Sequence, residues 1–238
     1  MTNAIKQFNF TEAQVSKLCK MQDELNTYIH PEWKAQGFNW NLAIIDECME
    51  IHGHLGWKWW KKGYKQGLTE ANKKQVQLEV IDILHFLLSA WIQCGASIAR
   101  IQQELNVALS TDSNLELELQ DLMADCTGGD FVDSLSDFAW LAHAVELTEQ
   151  EILETYTQKY VLNKFRQDHG YKDGSYVKEW QFRVPTPADS FGLCSEKLED
   201  NEVLSRVVVT LHEAGADTTD EVALYNALEA GYTSRLNK

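Results

Sequence analysis

The chain has 238 residues, enough to bury a sizeable core as one domain or as one domain with a subdomain, and its 44% hydrophobic content suits a globular protein. A formal net charge of -15 argues against a nucleic-acid or anionic-membrane surface, while a local basic patch could still grip phosphate. Cys19, Cys48, Cys94, Cys126 and Cys194 are odd in number and include no CxxC, which argues against a disulfide framework or zinc ribbon and fits a reducing cytoplasm.

No signal pattern opens the sequence, and no uninterrupted apolar run has the length of a membrane span, so no membrane partner is expected. Phe10 to Ile29 reads as a helix with Thr11 as its N-cap and Val15, Leu18, Met21, Leu25 and Tyr28 as its apolar stripe. Gln22 and Asn26 lie on a neighbouring face. Their amides present donors and acceptors side by side, and two exposed polar residues are the commoner meaning of such a pair. His30, Pro31 and Gly37 end the helix, and Trp33 and Trp40 read as core or rim aromatics.

The segment from Asn41 to Trp91 holds the densest chemistry. Glu47 and Glu50 share one face of a helix at i and i+3. A second helix, with Thr69 as candidate N-cap, carries Glu79 and Asp82 at the same spacing within a run apolar enough to be buried. Gly53, Gly56, Gly63 and Gly67 permit the turn of an antiparallel hairpin, which would bring four carboxylates together. Such a cluster needs neutralising. A hard divalent cation with oxygen ligands does so, and Mg2+, which commonly bridges carboxylates to phosphates, points to a nucleoside polyphosphate. His52, His54 and Cys48 are too sparse a set for zinc, and the single Asp82–His85 pair falls short of a bundle di-iron motif. Between the acids, Trp57, Trp59 and Trp60 alternate with Lys58, Lys61, Lys62 and Lys65. Aromatic planes can cover a base while ammonium groups meet phosphate, and simple packing is the competing explanation.

Residues 97–130 form an acidic, helical stretch, read as a small subdomain or dimer-facing structure. Further amphipathic helices follow in FVDSLSDFAWLAHAVELT and TEQEILETYTQKYVLNKFRQ. In NKFRQDHGYKDGSYVKEW, the residues Asn163, Lys164, Arg166, Tyr171, Lys172, Tyr176 and Lys178 surround Gly170 and Gly174. This mixture of cations, amide and hydroxyl donors suits a polyphosphate and is equally the make-up of a charged surface. Val203 to Leu211 and Glu221 to Leu236 read as two last amphipathic segments.

The blocks MQDELN, ECMEIHGHLGWKWWK, LEVIDILHFLL, VLNKFRQDHGYKDGSYVKEW and EDNEVL resemble, in order, the motifs of the dimeric all-α dUTPases, which belong to the MazG-like nucleoside triphosphate pyrophosphatases. The resemblance runs from about Gln22 to Leu204. It implies a single all-α domain spanning 1–238, a homodimer, and hydrolysis of dUTP and dUDP to dUMP. It implies Mg2+ held by Glu47, Glu50, Glu79 and Asp82, with Glu47 and Glu50 catalytic and Glu50 the base. Gln22 and Asn26 would line the uracil pocket, His85 and Phe86 would border the deoxyribose, and Trp57, Lys58 and Trp60 would contact substrate. The basic motif, joined by Asn201, would close over the phosphates. One departure is a longer gap at 181–198, read as an insertion. The alternatives are a pyrophosphatase for another nucleotide such as dCTP, and a nucleotide-responsive protein-binding module.

Overall fold

Thr11 opens helix α1 (Glu12–Ile29) through a capping box. Its hydroxyl oxygen accepts from the Gln14 backbone N–H at 3.3 Å, and Gln14 Oε1 accepts from the Thr11 backbone N–H at 2.8 Å. The computed structural model describes residues 6–109, 114–128, 134–185 and 193–235, and of residues 6, 183–185 and 193–195 it describes the backbone. Val15, Leu18, Met21 and Leu25 face the core as the stripe predicts, whereas Tyr28 is 53% exposed because the last turn of α1 runs past the core. Gln22 and Asn26 are both buried, not exposed.

Two compact units divide the chain, Met1–Tyr156 and Thr157–Lys238. In the first, α2 (Trp40–Leu55) and α3 (Lys73–Gln93) pack together as the expected hairpin. α3 also packs on α1 and on α6 (Ser134–Ala144); α4 (Ile98–Leu105) packs on α1 and α6, and α5 (Leu115–Gly128) on α2 and α6. A two-residue pairing of β1 (Lys6–Gln7) with β2 (Ala108–Leu109) adds the only other regular structure among the described residues of this unit, apart from a 3-10 turn at Trp33–Ala35 and the start of α7 (Glu149–Asp168). Of the acidic stretch 97–130, residues 110–113 and 129–130 lie outside the described residues.

α3 is the centre of the unit. Val80, Ile81, Ile83, Leu84, Leu87 and Leu88 are fully buried. The helix is long and apolar enough to span a membrane, but 78% of its apolar window is buried inside the fold, so its apolarity is that of a core helix. It starts at Lys73, four residues after the expected cap. Thr69 and Asn72 instead close a turn, the Asn72 Oδ1 accepting from the Thr69 backbone N–H at 2.7 Å, and Asn72 Nδ2 donates to the carbonyls of His54 and Gly67, both at 2.9 Å. Asn72 thus ties the start of α3 to the end of α2.

The second unit contains the rest of α7, an antiparallel pair β3 (Glu179–Pro185) and β4 (Leu193–Glu199), then α8 (Asp200–Glu213) and α9 (Glu221–Ser234). α8 packs on both strands and on α9. The stretch 181–198, read from sequence only as an insertion, therefore supplies a strand pair in register from Glu179 opposite Glu199 to Pro185 opposite Leu193; its residues 186–192 lie outside the described ones. With 67% helix the class is all-α, as expected.

Candidate active site

Glu47 and Glu50 leave α2 one turn apart, and Glu79 leaves α3 opposite them. Each of the three offers a carboxylate oxygen within 4.8 Å of the other two. Glu79 is only 5% exposed, Glu47 is half-buried and Glu50 is exposed, so the cluster runs from the core to solvent. A set made of carboxylates alone is the chemistry that a hard cation such as Mg2+ takes as ligands. Asp82, half-buried one turn further along α3, falls outside the group of three. His54 Nε2 lies 3.4 Å from Glu79 Oε1, and this hydrogen bond raises the imidazole above its ordinary pKa against the opposing effect of burial. Cys48 is buried and its thiol is pushed up to about 12 by burial, so it is no thiolate ligand.

The turn between α2 and α3 presents aromatic side chains to solvent. Gly56 ends α2 at φ 77°, and a Cβ there would meet the Gly63 carbonyl oxygen at 2.0 Å, so only glycine allows the loop to fold back. Lys65 and Gly67 then donate backbone N–H bonds to the carbonyls of Gly56 and Leu55 at 2.9 and 3.0 Å. On this closed loop Trp57, Trp59 and Trp60 are 41, 72 and 56% exposed and pack edge to face, and the Lys58 Nζ sits 5.5 Å from the Trp57 ring. An aromatic cluster this exposed marks a surface that something else covers.

Further along α3 a buried polar network replaces the carboxylates. Ser89 Oγ donates to the carbonyl of His85 at 2.8 Å. Gln22 Nε2 and Asn26 Nδ2 both donate to Ser89 Oγ at 2.8 Å, and Gln22 Nε2 also donates to Asn26 Oδ1 at 3.0 Å. Gln22 Oε1 in turn accepts from the Tyr156 hydroxyl at 2.6 Å and lies 2.7 Å from His85 Nδ1. An amide oxygen only accepts, so His85 carries its proton on Nδ1. Its ring stacks on Tyr156 with centroids 3.9 Å apart. Phe86, half-buried, lies on the neighbouring face with its ring 6.4 Å from that of Trp40.

In the second unit the predicted phosphate partners divide into two groups. Arg166 is committed: Nε and Nη2 donate to the two oxygens of Asp200 at 2.8 Å, and Nη1 donates to Asn163 Oδ1 at 2.9 Å. Tyr176 adds its hydroxyl to Asp200 Oδ2 at 2.9 Å. Burial would raise the fully buried Asp200, but the Arg166 bonds and charge outweigh it and hold the carboxyl below its ordinary value. Burial first, and then the Asp200 carboxylate, push the Tyr176 phenol up. Asn201 accepts from the buried Lys159 Nζ at 3.0 Å. Lys164, Tyr171, Lys172 and Lys178 are exposed; Lys178 has only a loose partner, Glu199 at 3.9 Å.

Sequence reading missed Ser89, Tyr156 and Lys159; it weighed His54 only for zinc, and it placed Asp200 in the EDN block without its Arg166 partner. Ser89 was visible as a hydroxyl inside an apolar helix; Tyr156 and Asp200 are distant in sequence from what they touch, so no local spacing could have pointed to them.

A comparison with protein families matches residues 14–171, more than half of the chain, to the dUTPase family. A search of curated proteins finds no match. The matched span includes the carboxylate helices, the tryptophan loop and the buried amides, and the chain belongs to the dUTPase family, whose activity is that of a dUTP diphosphatase.

Proposed function

We propose that the reaction depends on Mg2+ and converts dUDP as well as dUTP to dUMP. The convergence of Glu47, Glu50 and Glu79 within 4.8 Å supports this, with Asp82 on the next turn as a fourth carboxylate. Bound there, Mg2+ would supply neutralisation of phosphate charge. Glu50, exposed at the open side of the cluster, acts as the base. A water oxygen attacks the α-phosphorus in line and its proton passes to Glu50. The bond from phosphorus to the bridging oxygen breaks, releasing pyrophosphate from dUTP or phosphate from dUDP.

Asn26 and Gln22 form the uracil end of the site, with His85 and Phe86 against the sugar and Trp57, Lys58 and Trp60 as its cover. In the second unit the same chemistry nominates Lys164, Tyr171, Lys172 and Lys178 as anion-binding groups, since Arg166 and Tyr176 are turned towards Asp200. Homodimerisation is supported by Leu42 and Met49, exposed on one face of α2 together with the half-buried Ile45. A cytoplasmic setting is supported by the thiols of Cys19, Cys48, Cys94 and Cys126, which are free.

The test is a panel of dUTP, dUDP, dCTP, dTTP and UTP with Mg2+ or with EDTA, the products being resolved by chromatography. dUMP should form from dUTP and dUDP with Mg2+ alone. Turnover in EDTA would remove the metal, and faster hydrolysis of dCTP would overturn the uracil assignment.

A further inference from the structure

We propose that Ser89 is a positioning residue for base selection: its hydroxyl fixes which way the amides of Gln22 and Asn26 point, and Tyr156 holds the far end of the same chain. This rests on the reading of Asn26 and Gln22 as the uracil end of the site.

A hydroxyl carries one hydrogen and two lone pairs. Ser89 Oγ lies 2.8 Å from the carbonyl of His85, one turn back on α3, and a carbonyl can only accept, so the hydrogen of Ser89 is spent there. Any group that meets the remaining lone pairs must donate. Gln22 and Asn26 both lie 2.8 Å from Oγ and so must both present their NH2 groups. The oxygen of Gln22 then faces Tyr156 and His85, and both donate to it. The polarity of five residues thus follows from one backbone carbonyl, in a site where Ser89 is 0% exposed and Gln22 is 3% exposed.

These bonds use all four hydrogen-bonding positions of Gln22, so in this arrangement Gln22 orients its neighbour. Asn26, 8% exposed, spends one N–H on Ser89 and one lone pair on Gln22. The ring closed by these bonds takes the amide edge where N–H and oxygen lie side by side, so the N–H that Asn26 keeps points away from its remaining lone pair. A uracil carbonyl can accept that N–H. Cytosine offers an amino group in place of the 4-carbonyl, and Asn26 could match it only by flipping. A flipped Asn26 would set its oxygen against the Ser89 lone pairs and its NH2 against that of Gln22. Rejection of cytosine is therefore built into a serine with no part in the chemistry.

The experiment compares Ser89→Ala and Tyr156→Phe with the unmodified protein. The first reading is kcat/KM for dUTP and dCTP. Ser89→Ala should narrow the dUTP to dCTP ratio by about tenfold or more, and Tyr156→Phe, which keeps the ring stacked on His85, should narrow it by less. An equal loss for both nucleotides would overturn the proposal, because a merely structural role weakens both alike. The second reading needs no turnover: the side-chain NH2 groups of Gln22 and Asn26, followed by 1H–15N NMR, should be slowly exchanging and become fast in Ser89→Ala. Fast exchange in the unmodified protein would also overturn it. If the unmodified protein shows no preference for dUTP over dCTP, the uracil assignment falls, and the NMR reading still decides whether Ser89 locks the amides.

Discussion

Arg166→Ala separates a phosphate partner from a structural one. Arg166 donates two parallel bonds to a carboxylate that is 0% exposed, and its own side chain is only 12% exposed. Its removal leaves Asp200 buried with the Tyr176 hydroxyl as its remaining partner among these bonds. Breaking a buried pair from one side costs about 3–5 kcal/mol, because the surviving charge has lost its compensation. Domain stabilities are about 5–15 kcal/mol, so this substitution threatens the folding of the second unit. For a unit of 60–100 residues, a loss of about 3 kcal/mol lowers the Tm by about 12 °C or more. Calorimetry would detect this, and limited proteolysis would locate the loss within 157–238. The double variant Arg166→Met with Asp200→Leu should recover much of the stability, since replacing both charges by apolar groups removes the desolvation cost with the attraction. If Arg166→Ala instead leaves the Tm within about 1 °C and abolishes only triphosphate binding, the ion pair is not what holds Arg166.

Glu79→Ala should abolish Mg2+ binding by calorimetry together with turnover, because it removes the most buried of the three clustered carboxylates; unchanged affinity and rate would exclude Glu79 from the site. Glu50→Gln should lower kcat by about 10^2 or more while nucleotide binding persists, the scale of a lost general base. On the acid side, Asp200 has a depressed pKa. Its contribution to stability is complete above the ordinary aspartate value of 3.8 and is lost as pH falls through the lower folded value. Urea midpoints for the unmodified protein and Asp200→Asn should therefore converge only below about pH 4, and convergence near neutrality would contradict the shift.

What the sequence disclosed follows from how local each feature is. The capping box at Thr11, the end of α1 before Pro31 and the i, i+3 acid pairs lie within single turns of helix, where spacing and geometry coincide. The start of α3 was misread because Thr69 and Asn72 both compete for the cap, and the carbonyls of His54 and Gly67 capture the asparagine. The fourth carboxylate, Asp82, has the same i, i+3 spacing from Glu79 that Glu50 has from Glu47, yet it stands outside the group of three, so spacing along one helix does not by itself decide which acids meet across two. Arg166 looked like a phosphate ligand because its partner lies 34 residues downstream, a distance no periodicity reports.

On the proposed assignment, α3 would unite chemistry and selection on one rigid element. Glu79 and Ser89 are ten residues apart, about 15 Å along a straight helix. The N-terminal half of α3 contributes a carboxylate to the cluster, and the C-terminal half contributes the hydroxyl that orients the amides. Because a core helix does not stretch, a nucleotide bound as proposed, with its phosphates at the cluster, would have its base delivered to a fixed position along the same rod. The two ends should then fail independently. Glu79→Gln, which leaves the amide network untouched, should slow dUTP and dCTP by the same factor, so that their ratio holds while both rates fall. Ser89→Ala should do the opposite, changing the ratio while the affinity for Mg2+ stays constant. A Glu79→Gln enzyme that lost its preference for dUTP would show that the carboxylate end also senses the base, and the division of labour along α3 would be wrong.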